Sequence, residues 1–124
     1  MSHLPMSGAR VVETPAATMR TYASPTTESR APLAVWRTEM AAGAAGPVHV
    51  VDVDQVVVVV SGSLTAEVGG AEFVVPPGDS ALLPADAERR LTAGPEGLVT
   101  VTASLPGGTA RVGAGDPVPV PWAS

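Results

Sequence analysis

Five consecutive valines, Val56 to Val60, sit in the segment GAAGPVHVVDVDQVVVVVSG, residues 43–62. Branching at Cβ costs these side chains freedom in a helix and suits them to a pleated strand, so the run reads as a strand packed on both faces. Short β-branched stretches of the same kind recur along the chain between glycines and prolines, and helical periodicity is hard to find. Strands are expected at residues 9–13, 17–22, 32–40, 47–53, 55–60, 63–68, 71–75, 79–84, 88–93 and 97–104. Such a pattern folds as an all-β barrel or sandwich. Gly69 and Gly70, between LTAEV and AEFVV, give the best hairpin signal, because two glycines accept the positive φ angles of a tight primed turn.

With 124 residues the chain supports one core and one domain. Residues 1–29 read as an N-terminal segment with edge strands, 30–105 as the barrel, and 106–124 as an irregular proline-rich tail that Trp122 packs onto it. The core must be aliphatic, since Phe73, Tyr22, Trp36 and Trp122 are the aromatic residues available. Seven arginines, no lysine and a net charge of −5 argue against nucleic acid or an anionic membrane as partner, and remove any Schiff-base nucleophile. The absence of cysteine excludes disulfides, thiolate metal sites and thiol catalysis. No apolar run reaches the ~18 residues of a membrane span, and MSHLPMSGAR lacks the features of a signal peptide, so a cytoplasmic protein is expected. The Ala/Val/Gly/Pro/Arg-rich usage suggests a high-GC bacterium.

The valine run has a polar entrance. By strict alternation His49, Val51, Val53, Gln55, Val57 and Val59 share one face, while Asp52 and Asp54 lie on the other. A bulge between the aspartates would reverse that parity. His49 is the only histidine outside the N-terminal segment, and a lone barrel histidine either hydrogen-bonds the backbone or serves a pocket.

Two spacings then resemble the paired motifs of the cupin superfamily, small jelly-roll barrels also described as double-stranded β-helices. The first motif frame gives Gly43, His49, Val51, Gln55 and Gly62; the second gives Gly78, Pro84, Asp86, Arg89 and Ala93. The scaffold positions Gly43, Gly62, Gly78 and Pro84 match, over roughly residues 30–105. In metal-dependent members three histidines and a glutamate converge on a divalent ion, and of those only His49 is kept here. Val51 cannot ligate, Gln55 offers a neutral amide oxygen, and Arg89 is a permanent cation without a lone pair. One imidazole beside a guanidinium falls short of the three or four ligands of a stable transition-metal site, so no metal cofactor is expected.

The resemblance implies a pocket for a small molecule and a homodimer. Two functions of different class follow. In one, the protein is a metal-independent isomerase, cyclase or lyase of bacterial secondary metabolism, with His49 as acid or base, Arg89 stabilising an oxyanion or enolate, and Gln55 orienting the substrate. In the other, the barrel binds a small ligand without turnover, as a carrier or sensor. A metal-dependent dioxygenase is argued against by the lost ligand positions. Trp36, Thr38, Met40 and Tyr22 are candidates for the mouth of the pocket, set against ordinary core packing. In a regular strand only one of Arg89 and Arg90 faces inward; a buried Arg89 would need an anion, with Glu39 and Glu88 as internal candidates and a ligand as the alternative.

Overall fold

A computed structural model of the chain describes residues 3–27 and 30–124. Among these residues there are ten strands and two short 3-10 turns, Met6–Gly8 and Pro121–Ala123. The strands are β1 (Arg10–Glu13), β2 (Thr18–Ala23), β3 (Ala34–Met40), β4 (His49–Val51), β5 (Gln55–Val68), β6 (Ala71–Val75), β7 (Ser80–Leu83), β8 (Glu88–Ser104), β9 (Thr109–Val112) and β10 (Val118–Pro119). All pairings are antiparallel.

The barrel is organised by its two long strands. One half of the sheet runs β1-β2-β3, then residues 98–104 of β8, then residues 55–62 of β5, and ends on β7. The other half runs β10-β9-β4, then residues 88–93 of β8, then residues 64–68 of β5, and ends on β6. Strands β5 and β8 therefore pass from one half to the other, and each bends where glycine permits. Gly62 has φ +76°, and a Cβ placed there would stand 2.0 Å from the carbonyl oxygen of Gly97. Gly97 itself has φ +83°. The pairing register also slips at this corner, between Val59 and Ser61 and again between Gly62 and Leu64.

This continuity departs from expectation. The sequence predicts breaks at Ser61–Gly62 and at Gly94–Glu96, whereas the chain bends and stays in the ladder. Residues 106–124 are also less irregular than expected: β9 pairs with β4, and β10 pairs with β9. Trp122 does bind the tail to the body, since Thr21 Oγ1 donates to its carbonyl at 2.7 Å and its side chain packs on the cluster of Met19, Ala34, Trp36, Val120 and Ala123.

The valine run is a strand but is packed on one face and not on both as expected, because among the described residues no layer covers the outer side of β5. Val57 and Val59 are 1% exposed and join Met40, Leu64, Ala66, Leu83 and Leu98 in the main core, while Val56 and Val58 are 43% and 39% exposed. Gly69 and Gly70, with φ +56° and +86°, make the β5–β6 hairpin as expected. No helix of the described residues is long and apolar enough to cross a membrane.

Candidate functional site

His49 stands directly opposite Arg89 across the β4–β8 ladder, on the face that turns into the barrel. Val51 follows His49 on that face and is 3% exposed; Gln55 opens β5 and is 7% exposed. All four positions of the motif frame thus face inward, as alternation requires. Arg89 is buried and Arg90 exposed, which identifies the inward arginine.

Arg89 is among the largest fully buried side chains, at 1% exposure. Its Nη2 donates to the carbonyl of Pro84 at 2.6 Å and its Nη1 to that of Val51 at 3.4 Å. The guanidinium so ties the end of β4 to the turn between β7 and β8. The expected carboxylate partners are not used. Glu39 lies outside, shared by Arg20 at 3.6 Å and Arg37 at 3.2 Å, because its parity in β3 is opposite to that of Trp36 and Thr38. Glu88 is exposed, one residue out of phase with Arg89. Arg89 Nε is fully buried and has no hydrogen-bond partner among the described residues. Burial lowers the pKa of Arg89, and the charges of Asp86 and Asp54 partly oppose this; the group remains a cation.

The two aspartates do structural work on the other side. Asp54 Oδ1 accepts the Ala85 N–H at 2.7 Å, and Asp52 accepts both the N–H and the hydroxyl of Thr109, at 2.6 and 2.9 Å. These bonds from Thr109 hold the Asp52 carboxyl below the usual carboxylate range. Asp86, at the second frame's glycine position, keeps the left-handed backbone that glycine would supply, with φ +66°, and its N–H donates to Val51 O at 2.8 Å.

His49 has a defined tautomer. Its Nδ1 lies 2.9 Å from the carbonyl of Pro47, and since a carbonyl can only accept, Nδ1 carries the proton and Nε2 keeps a lone pair. Burial pushes its pKa below the ordinary histidine value; the bond to Pro47 opposes that shift, and the charge of Arg89 adds to it. A half-buried, neutral imidazole beside a buried cation is able to accept a proton at neutral pH.

The remaining sequence candidates divide. Thr38 and Trp36 belong to the inner face of β3, Trp36 within the cluster that the tail covers and Met40 within the main core. Tyr22 has the parity of Arg20 and not that of buried Thr21, and it helps raise the Arg37 pKa together with Glu39; it stands on the outer face, away from His49. Residues 100, 102 and 104 of β8 were not singled out by the sequence. Thr102 pairs with both Trp36 and Val57, Thr100 with Thr38 and Val59, and Ser104 with Gln55. Thr100, Thr102 and Ser104 are buried, forming a polar row beside Gln55 on the inner wall. Threonine is a common strand former, so nothing in the sequence marked that row as more than β-propensity.

Two of the surface clefts among the described residues lie near these elements. The larger, about 260 Å³, touches Arg89 and is lined chiefly by Val48, Glu67, Glu72, Glu88 and Arg90; the smaller, about 150 Å³, is lined by Val50, Asp52, Asp86, Thr109 and Arg111. Neither is lined by His49, Gln55, Trp36, Thr38 or Met40.

The donor set does not fit a divalent metal. An isopropyl group, an amide and a guanidinium stand at three of the four positions, and no group of three or more His, Cys, Asp or Glu among the described residues could hold an ion.

Comparison with known proteins agrees with the barrel. A family described as "Cupin domain" matches residues 36–103, and the chain belongs to the cupin family. An RmlC-like cupin from Shewanella frigidimarina is similar, at 20% identity and TM-score 0.71 over 85% of this chain and 91% of that one. The polyketide cyclase RemF from Streptomyces resistomycificus is similar at 18% identity and TM-score 0.70, over 85% of this chain and 79% of its own. Oxalate decarboxylase from Bacillus subtilis aligns with 81% of this chain at 17% identity and TM-score 0.69, and the aligned part is 28% of its length. No curated protein matches the sequence.

Proposed function

We propose that this cupin binds a small, mostly apolar molecule with an enolisable or acidic oxygen function and moves a proton on it without a metal, as in isomerisation, cyclisation or dehydration. The observation that carries the proposal is the cross-strand pair of a neutral, half-buried His49 and a buried Arg89 that makes no carboxylate ion pair among the described residues. His49 Nε2 takes a proton from a carbon next to a carbonyl and becomes N–H; the electron pair passes to the carbonyl oxygen as an enolate; the same N–H then returns the proton to the product position. The positive charge of Arg89, held by backbone carbonyls and not by an ion pair, favours the negative charge that develops. Gln55 and the row of Ser104, Thr102 and Thr100 supply polar contacts for orientation. General acid–base catalysis of this kind is worth about 10²–10⁴-fold. The same fold carries a polyketide cyclase, and ring closure through an enolised ketone is a reaction that such a pair can serve.

A second reading, binding without turnover, is favoured by one observation: Asp86 and Asp54, the carboxylates whose charge reaches Arg89, are exposed, as is its neighbour Glu88, so among the described residues none of these is an inward acid–base partner for His49. One experiment separates the two. β-Tetralone, an apolar enolisable ketone, is followed by NMR in heavy water with metal-free protein. Catalysis predicts accelerated α-hydrogen exchange that His49→Ala abolishes while saturable binding persists. Saturable binding without exchange supports the binder, and absence of both in a folded protein overturns the proposal.

A further inference from the structure

We infer that residues 116–124 form a latched strap that gates entry of a small molecule to the inner face of the barrel. The two halves of the sheet share a corner at Gly62 and Gly97, and the strap joins them a second time, on the side of β1 to β3. Val118–Pro119 runs as β10 beside β9, and the turn that follows, Pro121–Ala123, lies against β1, β2 and β3. Buried Val120 and Ala123 pack with Met19, Ala34 and Trp36 from one half and with Ala110 from the other. These contacts set the strap beside the site. Trp36 pairs with Thr102 and Ala34 with Ser104 in the polar row, while Ala110 pairs with Val51, which shares a face with His49. Residues opposite one another in a ladder lie on the same face of the sheet, so the strap covers the inner face one strand away from the polar row and one strand away from Val51.

Its parts have the mechanics of a gate. Gly113, with φ +57°, and Gly115 stand in an exposed turn, GAGD, that supplies the hinge. Pro117, Pro119 and Pro121 at alternate positions then fix φ and keep the arm stiff. Val120 and Ala123 of the arm are buried and Trp122 is half-buried, and the ladder with β9 has two register pairs, one of them at a proline without an N–H. The bonds that hold the arm are polar and sit at its tip. Arg10 Nη1 donates to the main-chain oxygens of Pro121 and Ser124 at 2.8 and 3.0 Å, Thr21 Oγ1 to that of Trp122 at 2.7 Å, and Ser24 Oγ to that of Ser124 at 2.6 Å. The Thr26 hydroxyl donates to the same Ser124 oxygen and accepts from Arg10 Nη2 at 2.7 Å. Thr21 and Ser24 are fully buried under the strap, and once it lifts their hydroxyls meet water, so release leaves neither donor buried and unpaired. An element with little buried apolar surface and a latch of hydrogen bonds opens locally, at a free energy below that of the whole fold.

The gate rests on the reading above that the inner face takes a small molecule, but its motion does not, so the test reads the motion without a ligand. In a Trp122→Phe background Trp36 is the one tryptophan, and its quenching by acrylamide, a small neutral molecule, reports how often the inner face is open. Arg10→Gln and Thr21→Val each remove latch bonds. Each is expected to raise the quenching constant at least about threefold and to speed hydrogen exchange in residues 116–124 about tenfold, while residues 98–104 keep wild-type protection. Circular dichroism checks the folding of both variants. Unchanged quenching in folded variants, acceleration spread evenly over the barrel, loss of the fold in both variants, or a wild-type strap that exchanges as slowly as residues 98–104 overturns the inference.

Discussion

Arg89 Nη2 lies 2.6 Å from the carbonyl oxygen of Pro84, so a cation buried at 1% exposure is anchored by backbone and not by a carboxylate. A buried charge without a counter-ion is expensive, and its removal can be neutral or stabilising when volume is kept. Arg89→Met is therefore expected to fold, within about 1–2 kcal/mol of wild type, whereas Arg89→Ala costs about 2–4 kcal/mol because a cavity is added. Urea denaturation of both variants measures this. If the methionine variant loses as much as the alanine variant, the two carbonyl bonds matter more than packing.

His49 gives the protein a pH dependence with a definite sign. Its pKa is lowered in the folded state from the ordinary 6.5, so below that value the unfolded chain binds more protons. Stability is complete above about 6.5, falls as pH drops from there toward the folded-state pKa, and levels off below it, until carboxylates titrate. The slope in that window is expected to vanish in His49→Gln. Denaturation midpoints at a series of pH values, wild type against variant, check it, and an unchanged slope assigns the effect elsewhere.

Gly62 is required by the corner of β5. Its φ is +76° and a Cβ would meet the Gly97 carbonyl at 2.0 Å, with backbone on both sides of the clash. Gly62→Ala is expected to cost on the order of 2–4 kcal/mol, well above an ordinary surface substitution. Thermal and chemical denaturation report it; a loss of under about 0.5 kcal/mol would mean that the corner relaxes freely.

Asp52 holds β9 through the N–H and hydroxyl of Thr109. Asp52→Ala is expected to speed amide hydrogen exchange across Thr109–Val112 while β5 and β8 stay protected. Uniform acceleration throughout the barrel would show instead that β9 opens only with the whole protein.

Much of the barrel was legible because its signals are local. Alternation separated Val57 and Val59 from Val56 and Val58, although the run read as packed on both faces and only the first face is buried, and the Gly69–Gly70 hairpin formed where two glycines stand together. Strands β5 and β8 were read as broken because glycine is a stop signal in isolation, yet here it lets a strand turn a corner and keep pairing with new neighbours. Strand β9 escaped notice because Gly107, Gly108 and Gly113 frame it, and its pairing with β4 is set by residues 57 or more positions away in sequence, such as the Asp52–Thr109 bond. At the site, parity grouped His49, Val51 and Gln55 on one face and left the choice between Arg89 and Arg90 open until the strand pairing settled it. It did not supply the partners of Arg89: sequence pointed to carboxylates, and the chain used the carbonyls of Val51 and Pro84, which any residue type would have provided.

The central claim is that His49 is free to exchange protons because its neighbours cannot hold a metal with it. Elemental analysis of protein purified without chelator tests this most directly. The account predicts iron, nickel, manganese and zinc each well below one ion per chain. One tightly held ion per chain, lost together with function in His49→Ala, would contradict it.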